Sequence, residues 1–314
     1  MRGVWEAGEV VEVVIPANLA ETVVAWEGDG GRAWLARLPG LVGEVADRWD
    51  LDLAPPFEPG GNISWVAAAR RRVDGADAVL KLQHPHPESA PEAAGLAAWD
   101  GAGSVRLLDH DPERCALLLE RCRPGRPISA DPDPLRAARE GAAIGARLHA
   151  VPVPPGLPTL AAVQAAWADQ LEAQLVDHPA ADPGLARRAL ATMRRPLPGI
   201  PDVLLHGDLN PTNVLAARRE PWLAIDPKPM VGDAAFDGSR LVAQPDPRSE
   251  PDPAATVARR LDAVAEGLGV DRDRLVDWCL VGAVEMGTSA AARGDARGAE
   301  RSADHVVLLA PHLR

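Results

Sequence analysis

The chain has 314 residues, 46% of them hydrophobic, and a formal net charge of −12, which is length enough for two lobes with cores of their own. The acidic balance argues against a nucleic-acid partner, whose phosphates need basic surface, and suits a cationic small substrate only weakly. Cys115, Cys122 and Cys279 form no Cys-x-x-Cys pair, no run approaches the ~18 apolar residues that span a bilayer, and the N-terminus lacks a signal peptide's apolar core, so reducing cytoplasm is expected, without disulfide framework, zinc site or membrane anchor; a monomer is expected as well.

A segment over 18–50, rich in Trp and Leu, reads as helical and precedes a small β-rich lobe that runs to about residue 121. Within that lobe, Pro59-Gly60-Gly61-Asn62-Ile63-Ser64-Trp65-Val66 leads into a strand, a turn at Asp74-Gly75 and a second strand, Ala78-Val79-Leu80-Lys81-Leu82. Glycines let backbone approach phosphate, and Asn62 and Ser64 add donors. A Gly-Gly pair alone is equally an ordinary tight turn. Lys81 interrupts an apolar strand, which is costly unless its ammonium meets an anion. A helix beginning near Pro91 offers two carboxylates, Glu88 and Glu92. Glu92 lies four residues before Leu96, on the face that Leu96 and Trp99 turn inward, and is preferred as the lysine's partner. Both acids also fit a first turn favoured by the helix dipole.

Ala116 to Cys122 reads as a buried strand that breaks into Arg123-Pro124-Gly125-Arg126-Pro127, a break that also suits a domain linker. A helical lobe follows. Leu135, Ala138, Ala142, Gly145 and Leu148 have helical spacing, and a second helix starts at an N-cap-like Thr159 and carries Val163, Trp167, Leu171 and Leu175. Further helices are expected near 253–268, 272–293 and 296–312, with Pro-rich loops at 152–158 and 245–254.

Between them lies the most informative stretch, His206-Gly207-Asp208-Leu209-Asn210-Pro211-Thr212-Asn213, followed by Ile225-Asp226-Pro227. Short β runs surround it: Val203–Leu205 enters, Val214–Ala216 leaves, and Trp222–Ile225 returns after the turn at 218–221. A loop Asp, a strand-edge Asn and an Asp ending the next strand are the working parts of kinase-type phosphotransferases. In that arrangement Asp208 accepts the proton of the acceptor hydroxyl, and Asn213 and Asp226 bind Mg²⁺. His206 is expected to orient the loop. A lone His-Gly-Asp turn means little; the full constellation with its strands and upstream lysine carries the weight.

These blocks, with PGGNISWV, AVLKL, ALLLERCRPG and WLAIDPKPMVGDAAFD, make the chain similar to the aminoglycoside phosphotransferases. The likeness points to their streptomycin 6-phosphotransferase and hydroxyurea phosphotransferase branch, and Ile15–Leu19 and Gly31–Leu35 also resemble it. Asn210 and Thr212 depart from the His and Gly common there, and Asp226-Pro227-Lys228 stands where protein kinases have Asp-Phe-Gly. The resemblance implies an α+β, bilobal protein-kinase-like fold: an N-terminal lobe over 1–121, a hinge at 122–128 and a helical lobe over 129–314. It also implies adenine near Leu119, Glu120 and Cys122, and ATP or GTP as donor with Mg²⁺.

Acceptor groups are expected from the helical lobe. Asp237 is a candidate, although an Asp there also commonly fixes the loop through backbone hydrogen bonds. Trp278 and Glu285 fall seven apart on one helical face, and a carboxylate beside an indole suits a guanidinium or ammonium sugar, though such a pair is also ordinary core and rim. Lys228 fits either phosphate or an acid partner. The expected activity is O-phosphorylation of a small hydroxylated molecule, a streptomycin-type aminoglycoside before an amino sugar or hydroxyurea, with a catalytically silent nucleotide-binding regulator as a further reading.

Overall fold

The computed structural model describes residues 13–87, 89–180, 182–196 and 198–314. They form two compact units, one reaching Gly101 and resuming over Val105–Arg123, the other made of Ala102–Ser104 and Pro124–Arg314.

The first unit opens with helix α1 (Ala17–Arg48), bent where Gly28 leaves helical geometry at φ 55° and ψ −124°. Its inward stripe is Leu19, Val23, Trp34, Leu38, Val42 and Val45, three- and four-residue steps that keep one face apolar on each side of the bend. The stripe packs on a five-stranded antiparallel sheet of order β1-β2-β3-β5-β4, built from β1 (Leu51–Pro56), β2 (Ser64–Arg71), β3 (Asp77–Gln83), β4 (Leu107–Asp111) and β5 (Ala116–Glu120). Ala67, Ala69, Ala78, Leu80 and Leu82 belong to the core shared with α1. Because side chains alternate along a strand, Lys81 points to the opposite face, the one from which α2 (Glu92–Trp99) supplies its carboxylate. β1 ends in Pro55-Pro56, tolerable because it is the edge strand.

The second unit is mainly helical: α3 (Pro134–His149), α4 (Leu160–Asp177), α5 (Pro183–Arg194), α6 (Ala235–Ala243), α7 (Pro253–Leu268), α8 (Arg272–Ala292) and α9 (Ala296–Leu309). Thr159 caps α4 by accepting from the Ala162 N–H at 3.2 Å, and Asp133, Asp182, Asp252, Asp271 and Asp295 cap α3, α5, α7, α8 and α9 in the same way. Two short antiparallel pairs carry the catalytic-type loop: β6 (Val203–Leu205) with β9 (Met230–Gly232), and β7 (Val214–Ala216) with β8 (Trp222–Ala224). By length and average composition alone, α8 is one helix among the described residues that could cross a bilayer. It is instead a core helix, packed against α5, α6 and α9 with Leu275, Val276, Leu280 and Val281 buried.

The class is the expected α+β. Strands β1, β4 and β9 and helices α5 and α6 are not among the individually expected elements, although α5 is amphipathic, with Ala186, Ala189 and Met193 buried on one face. β4 is mostly exposed along Leu108, Asp109 and His110, β9 is three residues long, and α6 contains Asp237, Gly238 and Ser239, which favour other conformations until tertiary contacts decide.

Candidate active site

In the first unit, strand alternation and the facing helix bring Lys81 and Glu92 together. Lys81 Nζ lies 2.8 Å from Oε1 and 2.7 Å from Oε2 of Glu92, and both side chains are buried. Gln83 Nε2, two residues along the same strand face, donates to Glu92 Oε2 at 2.6 Å. A buried carboxylate that receives an ammonium and an amide is fully charge-compensated and rigid. Gln83 was not foreseen, although its i+2 relation to Lys81 put it on the right face. Glu88, the other candidate partner, lies outside the described residues.

The loop between β1 and β2 holds Gly60, Gly61 and Asn62, while Ser64 is buried at the start of β2, opposite Gln83. Leu119 and Glu120 close β5, where the Glu120 N–H donates to the Arg106 carbonyl at 2.9 Å and Glu120 Oε2 accepts from the Arg106 N–H at 3.1 Å. Cys122 follows, half-buried, past the end of that strand.

In the second unit, the segment after β6 turns sharply at Gly207, φ 80°. Any Cβ there would collide with the Lys228 carbonyl, and the neighbouring Lys228 N–H donates to the His206 carbonyl at 2.7 Å. Glycine is therefore required both by the dihedral and by the close approach of the two strands. The loop is fixed from below by Asp237 on α6, whose Oδ2 accepts from the His206 N–H and whose Oδ1 accepts from the Gly207 N–H, each at 2.8 Å. His149 Nε2 lies 2.8 Å from the same Oδ2. Burial opposes ionisation of Asp237, but the hydrogen bond and charge of His149 outweigh it and hold the carboxyl below the usual range.

His206 is fully buried, its Nε2 3.1 Å from the Ile225 carbonyl and its Nδ1 receiving the Asp208 N–H at 3.3 Å. That pattern is the neutral tautomer with hydrogen on Nε2, and burial pushes its pKa down. It orients the loop by bonding both of the segments that carry candidate active groups.

Asp208 sits on the upper side of this loop, partly exposed. Asn210 Nδ2 donates to its Oδ1 at 3.1 Å, Asn213 Nδ2 donates to its backbone carbonyl at 3.0 Å and to Oδ2 at 3.3 Å, and Arg240 Nε lies 3.4 Å from Oδ1. Asn210 and Arg240 were not assigned to the site beforehand. Asn210 was visible only as a departure from the related pattern, and Arg240 has no local sequence signal. The short 3₁₀ turn Pro211–Asn213, closed by Asn210 Oδ1 accepting from the Thr212 N–H at 2.9 Å, places Asn213 at the head of β7. The Ile225 N–H donates to the Asn213 carbonyl at 2.9 Å, so Asp226, at φ 55°, begins beside Asn213.

The donor chemistry fits a hard divalent cation. Asn213 gives its amide hydrogens to Asp208, which leaves its Oδ1 as the oxygen for a metal, and Asp226 adds a carboxylate. Among the described residues no group of three His, Cys, Asp and Glu gathers to hold a metal, so a cation held by Asn213 and Asp226 would complete its shell with water and phosphate oxygens, the habit of Mg²⁺.

The acceptor candidates divide. Asp237 is corrected from substrate ligand to loop support, because it is buried and its carboxylate oxygens are committed to His206, Gly207 and His149. Trp278 is buried, its Nε1–H donates to Asp233 Oδ2 at 2.8 Å, and its ring meets Phe236 edge-on at 5.4 Å. Asp233 is held in turn by Arg274 at 3.0 Å. Trp278 and Glu285 nonetheless line one mostly apolar pocket together with Trp167, Phe236, Arg240 and Met286. Arg240 thus touches both that pocket and Asp208.

The chain matches a family model described as aminoglycoside/hydroxyurea antibiotic resistance kinase over residues 48–295. It is 42% identical to streptomycin 6-kinase of Streptomyces griseus, over 85% of this chain and 87% of that protein. It is 39% identical to hydroxyurea phosphotransferase of Kitasatospora aureofaciens, over 87% of this chain and 78% of that one. Among solved structures, choline kinase LicA from Streptococcus pneumoniae superposes with a TM-score of 0.62 at 14% identity, covering 88% of this chain and 99% of that chain. A thermostable aminoglycoside phosphotransferase mutant in ternary complex with ADP and hygromycin B gives 0.60 at 14% identity, covering 85% and 96%. At that identity the structural likeness speaks for the fold, which is protein-kinase-like.

Proposed function

Because the chain belongs to the aminoglycoside and hydroxyurea antibiotic resistance kinases, we propose that it transfers the γ-phosphoryl group of ATP to a hydroxyl of an aminoglycoside, with streptomycin as the first substrate to test. The observation that carries the mechanism is the carboxylate of Asp208, fixed by Asn210 and Asn213 on a loop that His206 and Asp237 hold rigid.

Asp208 accepts the proton of the acceptor hydroxyl as its oxygen forms the bond to Pγ; the bond from Pγ to the β-phosphate oxygen breaks, and ADP leaves. Lys81, kept extended by Glu92 and Gln83, grips the α- and β-phosphates. Asn213 Oδ1 and Asp226 would hold Mg²⁺, which would supply charge neutralisation at the phosphates. Since the transition state is loose, alignment of acceptor oxygen and phosphorus supplies most of the acceleration. Adenine sits against Leu119, Glu120 and Cys122, and the pocket beside Arg240 receives part of the acceptor. The enzyme works in the cytoplasm as a monomer.

The test is nucleotide turnover by the pure protein with streptomycin, other aminoglycosides, amino sugars and hydroxyurea. Streptomycin-dependent ADP release with a phosphorylated product supports the proposal. Release with hydroxyurea alone would transfer the assignment to the other named branch, to which the likeness is nearly as great. No turnover with any aminoglycoside would refute the substrate assignment.

A further inference from the structure

Asn18 lies in the first turn of α1, before the family match begins at residue 48. Its side chain is nevertheless joined to the loop between β1 and β2. Asn18 Oδ1 accepts from the Gly60 N–H at 2.9 Å, and Asn18 Nδ2 donates to the Gly60 carbonyl at 2.7 Å. A carboxamide and a peptide group paired through both donor and acceptor behave like one rung of a sheet, and the pairing fixes orientation as well as distance. Pro16 closes the contact, since a Cβ at Gly60 would stand 2.8 Å from both Cβ and Cγ of Pro16.

The rest of the loop is anchored at its two ends. The Phe57 N–H donates to the Val66 carbonyl and the Ile63 carbonyl accepts from the His84 N–H, each at 2.9 Å. Between these anchors Gly60 is the only further point of attachment among the described residues, and no hydrogen bond there uses the Gly61 or Asn62 N–H. The Gly61 and Asn62 N–H groups are therefore donors that phosphate oxygens of a bound nucleotide can use.

We propose that Asn18 is a positioning residue for the phosphoryl donor. It clamps the Gly60 peptide to α1 and so sets the direction of the Gly61 and Asn62 N–H groups toward the nucleotide phosphates. The inference rests on the reading of this loop and Lys81 as the nucleotide grip. It gives α1 a part in donor binding that the kinase-type sheet alone does not account for. Ordering the loop beforehand removes an entropic cost from nucleotide binding and leaves acceptor binding untouched.

The test compares wild type, Asn18→Ala and Asn18→Asp by ATP titration without acceptor, steady-state kinetics with each substrate varied, and thermal melting. Asn18→Ala loses both bonds; the expected result is about a tenfold rise in the ATP Kd and KM, with the acceptor KM within twofold of wild type. Asn18→Asp keeps the acceptor for Gly60 N–H and should fall between the two, which keeps the proposal open to refutation even where the alanine variant does not fold. An unchanged ATP Kd in either folded variant overturns the proposal. So does a loss that raises both KM values alike, because a merely structural role would act that way. Lys81→Ala is measured alongside: if it too leaves the ATP Kd unchanged, the nucleotide-grip reading fails first, whereas weakening by Lys81→Ala with no effect of Asn18→Ala refutes the role of Asn18 alone.

Discussion

Asp237 binds the backbone N–H groups of His206 and Gly207, thirty-one and thirty residues earlier, at 2.8 Å each, so a buried carboxylate on α6 determines the shape of the loop that carries Asp208. Asp237→Asn keeps the volume but turns an amide donor toward one of those N–H donors or toward His149. The expected cost is on the order of 3 kcal/mol of stability, the range for breaking a buried charge-assisted network, with a loss of turnover at temperatures where the variant is still folded. Chemical denaturation and initial rates check both. The pH dependence has a definite sign. Asp237 is depressed in the folded state, so its contribution is present above its ordinary value of 3.8 and is lost as pH falls through the lower folded value. The asparagine variant should therefore lose less stability than wild type on acidification below pH 3.8.

Lys81, Glu92 and Gln83 form a hydrogen-bonded charged cluster in a buried place. Glu92→Leu removes the carboxylate that accepts from both the Lys81 ammonium and the Gln83 amide, and is expected to destabilise the protein by roughly 3 kcal/mol. The double variant Lys81→Met with Glu92→Leu should recover part of that stability, because an apolar pair of similar volume replaces a buried ion pair. It should not recover turnover. Melting temperatures and kinase rates on the three proteins separate structural from functional need. Full activity in the double variant would remove Lys81 from the mechanism.

The cysteines offer a probe of nucleotide binding. Cys279 is buried and its thiol is pushed well above the ordinary range by burial, so it should resist alkylation in the folded protein. Cys122, half-buried just past β5, lies where adenine is proposed to sit. ATP should slow its alkylation severalfold while leaving Cys115 unaffected, as read by peptide mass spectrometry. Equal protection of both would argue for a general tightening of the fold.

Much of this site was legible as local pattern. The loop residues Asp208, Asn213 and Asp226, the flanking β runs, and Lys81 on an apolar strand all announce themselves by residue type and spacing. So do helices α3, α4, α7, α8 and α9, because an N-cap and a helical period are written within a few neighbouring positions. What escaped was long-range. His149, Asn18 and Arg240 reach their partners across 88, 42 and 32 positions of chain, and no local rule connects such pairs. Asp237 shows the ambiguity inside a motif. A carboxylate eleven residues after Asp226 fits substrate recognition and loop support equally well until its hydrogen bonds are seen. α6 escaped for a related reason: Gly238 and Ser239 weaken its propensity, and packing against α7 and α8 forms the helix.

The most direct measurement is ADP formation by Asp208→Asn beside wild type in the presence of streptomycin, with ATP affinity measured on both. The expected result is a fall in turnover of about a thousandfold, within the span of a lost general base, at an ATP Kd within twofold of wild type. Near-normal phosphorylation by Asp208→Asn would contradict the role assigned to that carboxylate and with it the mechanism built on the loop.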